Sequence, residues 1–197
     1  MAEKNFFSRN RTWIIIGIVA LILVFYFVGR YNSFIVLDQS VNGKWSEVEN
    51  QYQRQADLIP NLVSTVSSAV NTETSFVKDV IAARTAWASA SSQLQKDTAG
   101  VQMNNGIAAL VSAVAESYPV LQANKQYTAL TDELSGTQNR IATARGRYIE
   151  SIQSYNTAVK RFPSNIVAGL FGFGAKDYYQ AELSSMETPE LGTGQLP

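Results

Sequence analysis

With 197 residues the chain is long enough for one ordinary domain plus an anchor and a tail, and its 16 basic and 16 acidic residues balance, so it lacks the basic face that nucleic-acid binding requires. It contains no Cys and no His, which excludes disulfides, thiolate chemistry, Ser-His-Asp triads and the common zinc and di-iron sites. We therefore expect no catalytic residue, no cofactor, no metal site and no nucleic-acid partner.

The first predicted element is a membrane-spanning helix. Residues 13–29 read WIIIGIVALILVFYFVG and carry no charge. At 1.5 Å per residue this run reaches roughly 25 Å, near the short end of what crosses a bilayer core. It does not end in the small residues that mark a signal-peptide cleavage site. The run predicts an uncleaved signal-anchor behind a short N-terminal segment, residues 1–12, and it makes the lipid bilayer an expected partner.

The positive charges around this helix bear on its orientation. Lys4, Arg9 and Arg11 precede it, whereas Arg30 and Lys44 follow it closely. By the positive-inside rule, residues 1–12 lie in the cytoplasm of a single-pass protein of the cell (inner) membrane. The rest of the chain is then expected on the extracytoplasmic side.

Beyond the span, apolar residues recur at helical spacing, which predicts an all-α antiparallel bundle of about four long helices over residues 31–163. Gln55 interrupts the main apolar row of the first helix, and Pro60 should kink or break that helix because it has no N–H to donate. The main row is Phe34, Val41, Val48, Leu62 and Ala69, and a second row is Trp45, Tyr52, Ile59 and Val66.

Two shorter helices are expected next. One opens near Thr72 or Ser75, both of which suit an N-cap, and closes at Gly100. Its apolar stripe is Phe76, Val80, Ala83, Trp87, Ala90 and Leu94. A third helix, rich in Ala and Val, is expected from Ile107 to Glu116.

The last helix of the bundle has the clearest pattern. Pro119 suits its first position, and Phe162-Pro163 suits its end. Between them an apolar residue recurs every seven positions, at Val120, Tyr127, Leu134, Ile141, Tyr148, Tyr155 and Phe162. A sustained heptad is typical of a coiled coil. This seam packs either within the chain, in an antiparallel bundle, or against another subunit.

Residues 164–183 form a segment rich in Gly and aromatic residues, and its Gly residues weaken a helix. The segment either folds over the end of the bundle or leaves apolar surface for another subunit or for the membrane. Its candidate interaction residues are Asn165, Ile166, Leu170, Phe171, Phe173, Tyr178 and Tyr179. Residues 184–197 are rich in Glu, Thr, Pro and Gly, which predicts a disordered tail.

A second distinctive cluster, Arg54, Asp57, Pro60 and Asn61, lies in the first bundle helix. Pro60 frees a backbone carbonyl one turn back, and Asp57 or Asn61 can satisfy groups that the bend exposes. The spacing of Arg54 and Asp57 permits a helical ion pair. We read the cluster as structural rather than as a ligand site, since no His or second carboxylate joins it.

These motifs resemble those of the LemA family of bacterial membrane-anchored proteins. The shared stretches include RQADLIPNLV at 54–63, NRI at 139–141, FP at 162–163 and GLFGF at 169–173. Gln55 and Gln138 replace a basic and an acidic residue of the family pattern. The resemblance spans roughly residues 31–180 and implies a helical bundle on one N-terminal span, with no established activity or cofactor. Family members have been described with the short N-terminus outside, opposite to the charge count.

Three function classes follow. The first is a membrane-anchored scaffold or interaction module without catalysis, either a homo-oligomer or a partner of another membrane or envelope protein. The alternative is an exported ligand-sensing bundle that signals through a partner protein, because the residues before the span are too few for an output domain. An enzyme that uses carboxylates alone ranks third.

Overall fold

The computed structural model describes residues 4–70 and 75–178, and every regular element in these ranges is a helix. The predictions for Thr72, Tyr179 and residues 184–197 lie outside the described residues. The helices are α1 (Lys4–Val70), α2 (Ser75–Ser89), α3 (Gln93–Ser117), α4 (Pro119–Gln122), α5 (Lys125–Lys160) and α6 (Ser164–Phe171). The predicted class, an all-α bundle behind one long apolar N-terminal helix, is confirmed.

Packing divides the chain into two compact units. The bundle unit comprises Ile35–Ser151, and the anchor unit comprises the residues up to Phe34 together with those from Ile152 onward. Helices α1 and α5 each contribute residues to both units.

The bundle unit has one apolar core, to which helices α1 to α5 contribute. The second predicted row of α1 is buried throughout, and so are Val48 and Leu62 of the first row. The seam of α5 is occupied by the chain's own helices, because its residues from Tyr127 to Ala144 belong to this core. The other core residues of the unit include Val77, Val80, Trp87, Met103, Ile107, Leu110, Val114 and Leu121.

Contacts between distant residues give the helix directions in this unit. Trp45 packs against Tyr148 with their ring centroids 5.4 Å apart, and Arg54 contacts Glu133, so α1 and α5 run antiparallel. Gly106 lies against Val80 and Lys96 against Trp87, so α2 and α3 run antiparallel around the turn at residues 90–92. Gly100 lies against Tyr52 and Asn104 binds Gln55, so α3 runs parallel to α1. The order is therefore up-down-up-down, as short connections favour.

The predicted helix ending at Gly100 is divided between α2 and α3. Ser92 accepts a hydrogen bond from the backbone N–H of Gln95 at 3.2 Å, and Gln95 Oε1 accepts one from the backbone N–H of Ser92 at 3.3 Å. This capping box starts α3 at Gln93, and α3 also contains the predicted third helix. The apolar stripe was therefore wrong at its end, and Leu94 is 76% exposed.

Gly100 lies inside α3 and does not end a helix. A Cβ at this position would approach the ring of Tyr52 on α1 to 2.5 Å. Tyr52 is fully buried, so its ring has no room to move aside. The glycine is therefore explained by close packing of α1 and α3.

The last predicted helix is interrupted after α4, which begins at Pro119 as predicted. Asn124 Oδ1 accepts hydrogen bonds from the backbone N–H groups of Gln126 and Tyr127 at 2.9 and 3.1 Å, which caps α5. The interruption shifts the apolar register. Leu121 is buried in place of Val120, which is 85% exposed.

In the anchor unit, the apolar run of α1 has no protein cover. Residues 11–25 are exposed, and the most apolar window of the helix has a mean hydropathy of 2.6 with no residue buried. Among the described helices, α1 alone is long and apolar enough to cross a membrane. Further along, Phe34 is buried, and the other buried apolar residues of this unit are Ile152, Tyr155, Val159, Val167 and Ala168.

Candidate functional site

The predicted interaction segment begins as a short helix with two unlike faces. Helix α6 buries Ser164, Val167 and Ala168, which follow one another at helical spacing. The opposite face carries Ile166 and Leu170, which are 51% and 68% exposed. Glycine content predicted a poor helix here, but the segment forms two helical turns. Burial of the face that carries Val167 and Ala168 stabilises them.

Glycine instead fixes the end of α6. Gly172 adopts a left-handed conformation with φ 77°, and the backbone N–H of Phe173 donates to the carbonyl of Ala168 at 2.9 Å. This is the Schellman arrangement, in which glycine is favoured because it lacks a Cβ. The turn directs Phe173 back toward α1.

An aromatic cluster of Tyr31, Phe34, Phe171 and Phe173 joins this segment to α1. The ring of Tyr31 lies 5.0 Å from Phe171 and 5.6 Å from Phe173, measured between centroids. Phe173 lies 5.1 Å from Phe34. Edge-on and tilted pairs at these distances are favourable aromatic contacts.

Asn156 holds the chain beyond the cluster. Its Nδ2 donates to the carbonyl of Lys176, and its Oδ1 accepts from the backbone N–H of the same residue, both at 2.7 Å. The Asn156 side chain is buried, and the Lys176 ammonium lies 5.3 Å from the centroid of the Tyr155 ring. The backbone of Lys176 is therefore fixed against α5.

The segment folds back onto α1 through Phe171 and Phe173, and it leaves apolar side chains of α6 exposed. Whether a subunit or the membrane covers these side chains stays a prediction. The exposed candidates are Asn165, Ile166, Leu170, Phe171 and Tyr178, Phe173 is partly buried, and Tyr179 lies outside the described residues.

The cluster around Pro60 lies in uninterrupted helix, so of the predicted kink or break the break is wrong. Pro60 does free the carbonyl of Ala56, one turn back. Arg84 on α2 donates to that carbonyl through Nε at 2.9 Å. The partner is thus a side chain from another helix instead of Asp57 or Asn61.

The polar residues beside Pro60 have other contacts. Asp57 accepts from Gln53 Nε2 at 2.8 Å, and the carbonyl of Asn61 accepts from Thr65. Arg54 pairs with Glu133 on α5 rather than with Asp57. The expected helical ion pair is replaced by a bridge between two helices.

The interior of the bundle unit contains a polar row contributed mainly by α1 and α3. Gln55, which interrupts the heptad row, is fully buried and donates to Asn104 Oδ1 at 2.7 Å. Asp97 is 4% exposed, and Arg145 Nη2 lies 3.5 Å from its Oδ2.

Burial dominates the acid–base properties of this row. It raises the pKa of Asp97 from 3.8 to about 6, although the Arg145 guanidinium acts in the opposite direction. Burial also raises the pKa of Tyr52 to about 12, opposed by Arg145 and assisted by Asp97. Tyr127 has a raised pKa for the same reason, burial. Burial thus disfavours the charged form of each of these groups.

Two open grooves mark the surface of the bundle unit. The polar groove between α1 and α5 has a volume of about 510 Å³ and is lined by Glu47, Asn50, Gln51, Asn139, Arg140, Thr143, Ala144 and Arg147. The alanine groove between α2 and α3 has a volume of about 520 Å³ and is lined by Phe76, Asp79, Ala82, Ala83, Ala86, Gln102, Asn105, Gly106 and Ala109.

Comparison with known protein families identifies the family of this chain. The model of the LemA family matches residues 44–192, which is more than half of the chain. The chain belongs to the LemA family. The match includes the cluster around Pro60, the residues of both grooves and the segment that contains α6.

Relatives of this LemA-family chain include magnetosome proteins. It is 27% identical over 197 residues to "Magnetosome protein MamQ 2" and "Magnetosome protein MamQ 1" of Paramagnetospirillum magneticum strain AMB-1. "Magnetosome protein MamQ" of Magnetospirillum gryphiswaldense strain MSR-1 is 26% identical over 196 residues. Each comparison covers 85% of this chain and 72% of the relative.

Sequence reasoning assigned no role to several residues that hold the LemA-family chain together. These residues are Arg84, Arg145 and Asn156, and their partners lie 28, 48 and 20 residues away in sequence. Asp97 had a local signal, because it falls at helical spacing before Gly100 on the buried face of α3.

Proposed function

We propose that the protein is a single-pass membrane-anchored scaffold that self-associates and performs no catalysis. One observation carries this proposal. Helix α1 contains both an apolar run without protein cover, residues 11–25, and two rows of side chains that build the bundle core. A bilayer is the environment that suits the uncovered run, so the same helix supplies the anchor and the frame of the bundle.

The alanine groove is the surface that best supports self-association. Ala82, Ala86 and Ala109 line it with exposed short side chains, so another helix can approach closely. Phe76 is exposed at the groove and offers an aromatic anchor of the kind that interfaces favour. The seam of α5 is already filled within the chain from Tyr127 to Ala144, which leaves this groove as the candidate face.

Sizing of the full-length protein in mild detergent tests the proposal. We expect an oligomer, and we expect Ala86→Glu to convert it to a monomer because a charge would be buried at the contact. Ala88→Glu is the matched control, since Ala88 is also an exposed residue of α2 but does not line the groove. A monomeric unmodified protein would contradict self-association.

The polar groove favours a second candidate, the sensing of an anionic small molecule. Arg140 and Arg147 line it seven residues apart on α5, beside the amides of Asn50 and Asn139. Guanidinium groups suit carboxylates and phosphates. Thermal melting with a panel of anionic metabolites tests this candidate. Stabilisation that Arg147→Gln abolishes and Lys125→Gln retains would support it, and no stabilisation by any compound would count against it.

A further inference from the structure

We propose that α6 is an interfacial helix whose exposed apolar face lies in the headgroup region of the bilayer that α1 crosses. The protein would then touch the membrane twice, once by spanning it and once by lying on it. The inference rests on the proposed membrane anchor and not on self-association.

The position of α6 beside α1 is the first argument. Tyr31 stands two residues past Gly29, where the apolar run ends. Its ring contacts Phe171, the last residue of α6, at a centroid distance of 5.0 Å. Tyr26 and Phe27 are partly buried, whereas residues 11–25 are exposed. These contacts hold α6 at the level where α1 leaves the hydrocarbon.

The composition of the exposed face is the second argument. Helix α6 reads SNIVAGLF and has no charged residue. Ile166 and Leu170 project from its outer face, Phe171 is 53% exposed at its end, and Phe162 just before it is 75% exposed. A surface of this kind is unfavourable in water and typical of helices that lie in the membrane interface.

Charge around the helix is the third argument. Lys160 and Arg161 precede α6, both exposed, and Arg30 is exposed at the end of the span. The Arg30 guanidinium lies 5.5 Å from the centroid of the Tyr26 ring, an aromatic–cation pair suited to the interface. Basic side chains next to an apolar face suit anionic lipid headgroups.

The size of the face argues for lipid over a second copy of the chain. A stable protein interface takes about 800 Å² from each partner, more than one face of two helical turns provides. The bilayer, by contrast, is already adjacent through the anchor. Binding it therefore requires no encounter with another molecule.

Site-specific labelling of the full-length protein tests the inference. The chain has no Cys, so single substitutions accept one environment-sensitive fluorophore each. Ile166→Cys and Leu170→Cys place it on the exposed face of α6. Val19→Cys reports on the span, and the exposed Ser135→Cys reports on the bundle unit. The labelled proteins are reconstituted into vesicles of phosphatidylcholine and phosphatidylglycerol.

We expect the labels at 166 and 170 to be quenched by lipids with a nitroxide near the headgroup and shielded several-fold from aqueous iodide. The label at 135 should show the reverse. The label at 19 should be quenched by lipids that carry the nitroxide on the acyl chain. Iodide quenching at 166 and 170 with lipid quenching at 19 would overturn the inference and leave the anchor standing. Shielding from iodide without lipid quenching would also overturn it, because a protein would then cover the face. Absence of lipid quenching at 19 would refute the anchor and the inference together.

Discussion

Asp97 and Gly100 lie one turn apart on α3, and both are close to Tyr52 in the core of the bundle unit. Asp97 approaches Arg145 with a carboxylate that burial disfavours, and Gly100 offers the ring of Tyr52 a surface without a Cβ. Asp97 therefore makes the free energy of unfolding depend on pH, and Gly100 leaves no space for a larger side chain at its position.

Replacement of Gly100 by Ala should destabilise the bundle. The added Cβ would meet the fixed Tyr52 ring at 2.5 Å, and overpacking of this kind costs about 1–3 kcal/mol, more than the gain in helix propensity. Gly146→Ala on α5 is the matched control, since nothing lies within 4 Å of its new Cβ. We expect that variant to gain about 0.5–1 kcal/mol. Chemical denaturation of both variants checks the opposite signs.

Asp97→Asn should change how stability depends on pH. Because the folded protein raises the pKa of Asp97 from 3.8 to about 6, it holds the proton more tightly than the unfolded chain. The resulting stabilisation is complete below about pH 4 and is lost as the pH rises through about 6. The melting temperature of Asp97→Asn relative to the unmodified protein should therefore rise between these pH values. A constant difference from pH 4 to 7 would refute this assignment.

At the scale of elements, α1 is notable for continuing through Pro60. Proline removes one hydrogen bond inside a helix, and an unpaired carbonyl in a packed region is costly. The Arg84 guanidinium donates to the Ala56 carbonyl in place of the N–H that Pro60 lacks. A side chain of α2 therefore offsets the hydrogen bond that α1 loses. The continuity of one helix thus depends on its neighbour.

A double-mutant cycle should show this dependence. Arg84→Leu should cost roughly 1.5–3 kcal/mol, the usual value of a hydrogen bond from a charged donor. In a Pro60→Ala background the cost should fall by about 1 kcal/mol, because the substituted alanine supplies a backbone N–H to the carbonyl of Ala56. Equal costs in the two backgrounds, measured by chemical denaturation, would show that the residues act independently.

The helices of the bundle were largely predictable because their apolar spacing is regular. The heptads of α1 and α5 identified buried residues from Trp45 to Ile141. The breaks before α3 and α5 were missed, since each depends on a cap formed by one polar side chain, Ser92 or Asn124. Periodicity carries no information about such caps, although the sequence motif at residues 92–95 does.

At the scale of the whole molecule, the orientation of α1 in the membrane determines on which side the bundle unit lies. The charge count predicts that residues 1–12 lie in the cytoplasm and that the bundle unit lies on the extracytoplasmic side. Ser135→Cys should then react with a membrane-impermeant maleimide in intact cells. Reaction only after lysis would reverse the orientation, and the unmodified chain, which has no Cys, supplies the blank.

The candidate site was predicted only in outline. Composition singled out residues 165–179, and the structure divides the described part into residues that fold back and residues that stay exposed. That division depends on Asn156 and Tyr31, which contact the segment from positions far away in sequence. Pairings of this kind leave no local pattern. The aromatic cluster therefore could not be derived from spacing.

The bond from Arg84 to Ala56 also has a consequence for the order of assembly. During synthesis, residues 44–70 leave the ribosome before Arg84 does. Until α2 docks, the Ala56 carbonyl accepts its hydrogen bond from water. Docking replaces that water with the guanidinium of Arg84. The middle of α1 therefore completes its hydrogen bonds within the protein only when α2 packs against it. Formation of the complete α1 helix is thus coupled to the docking of α2.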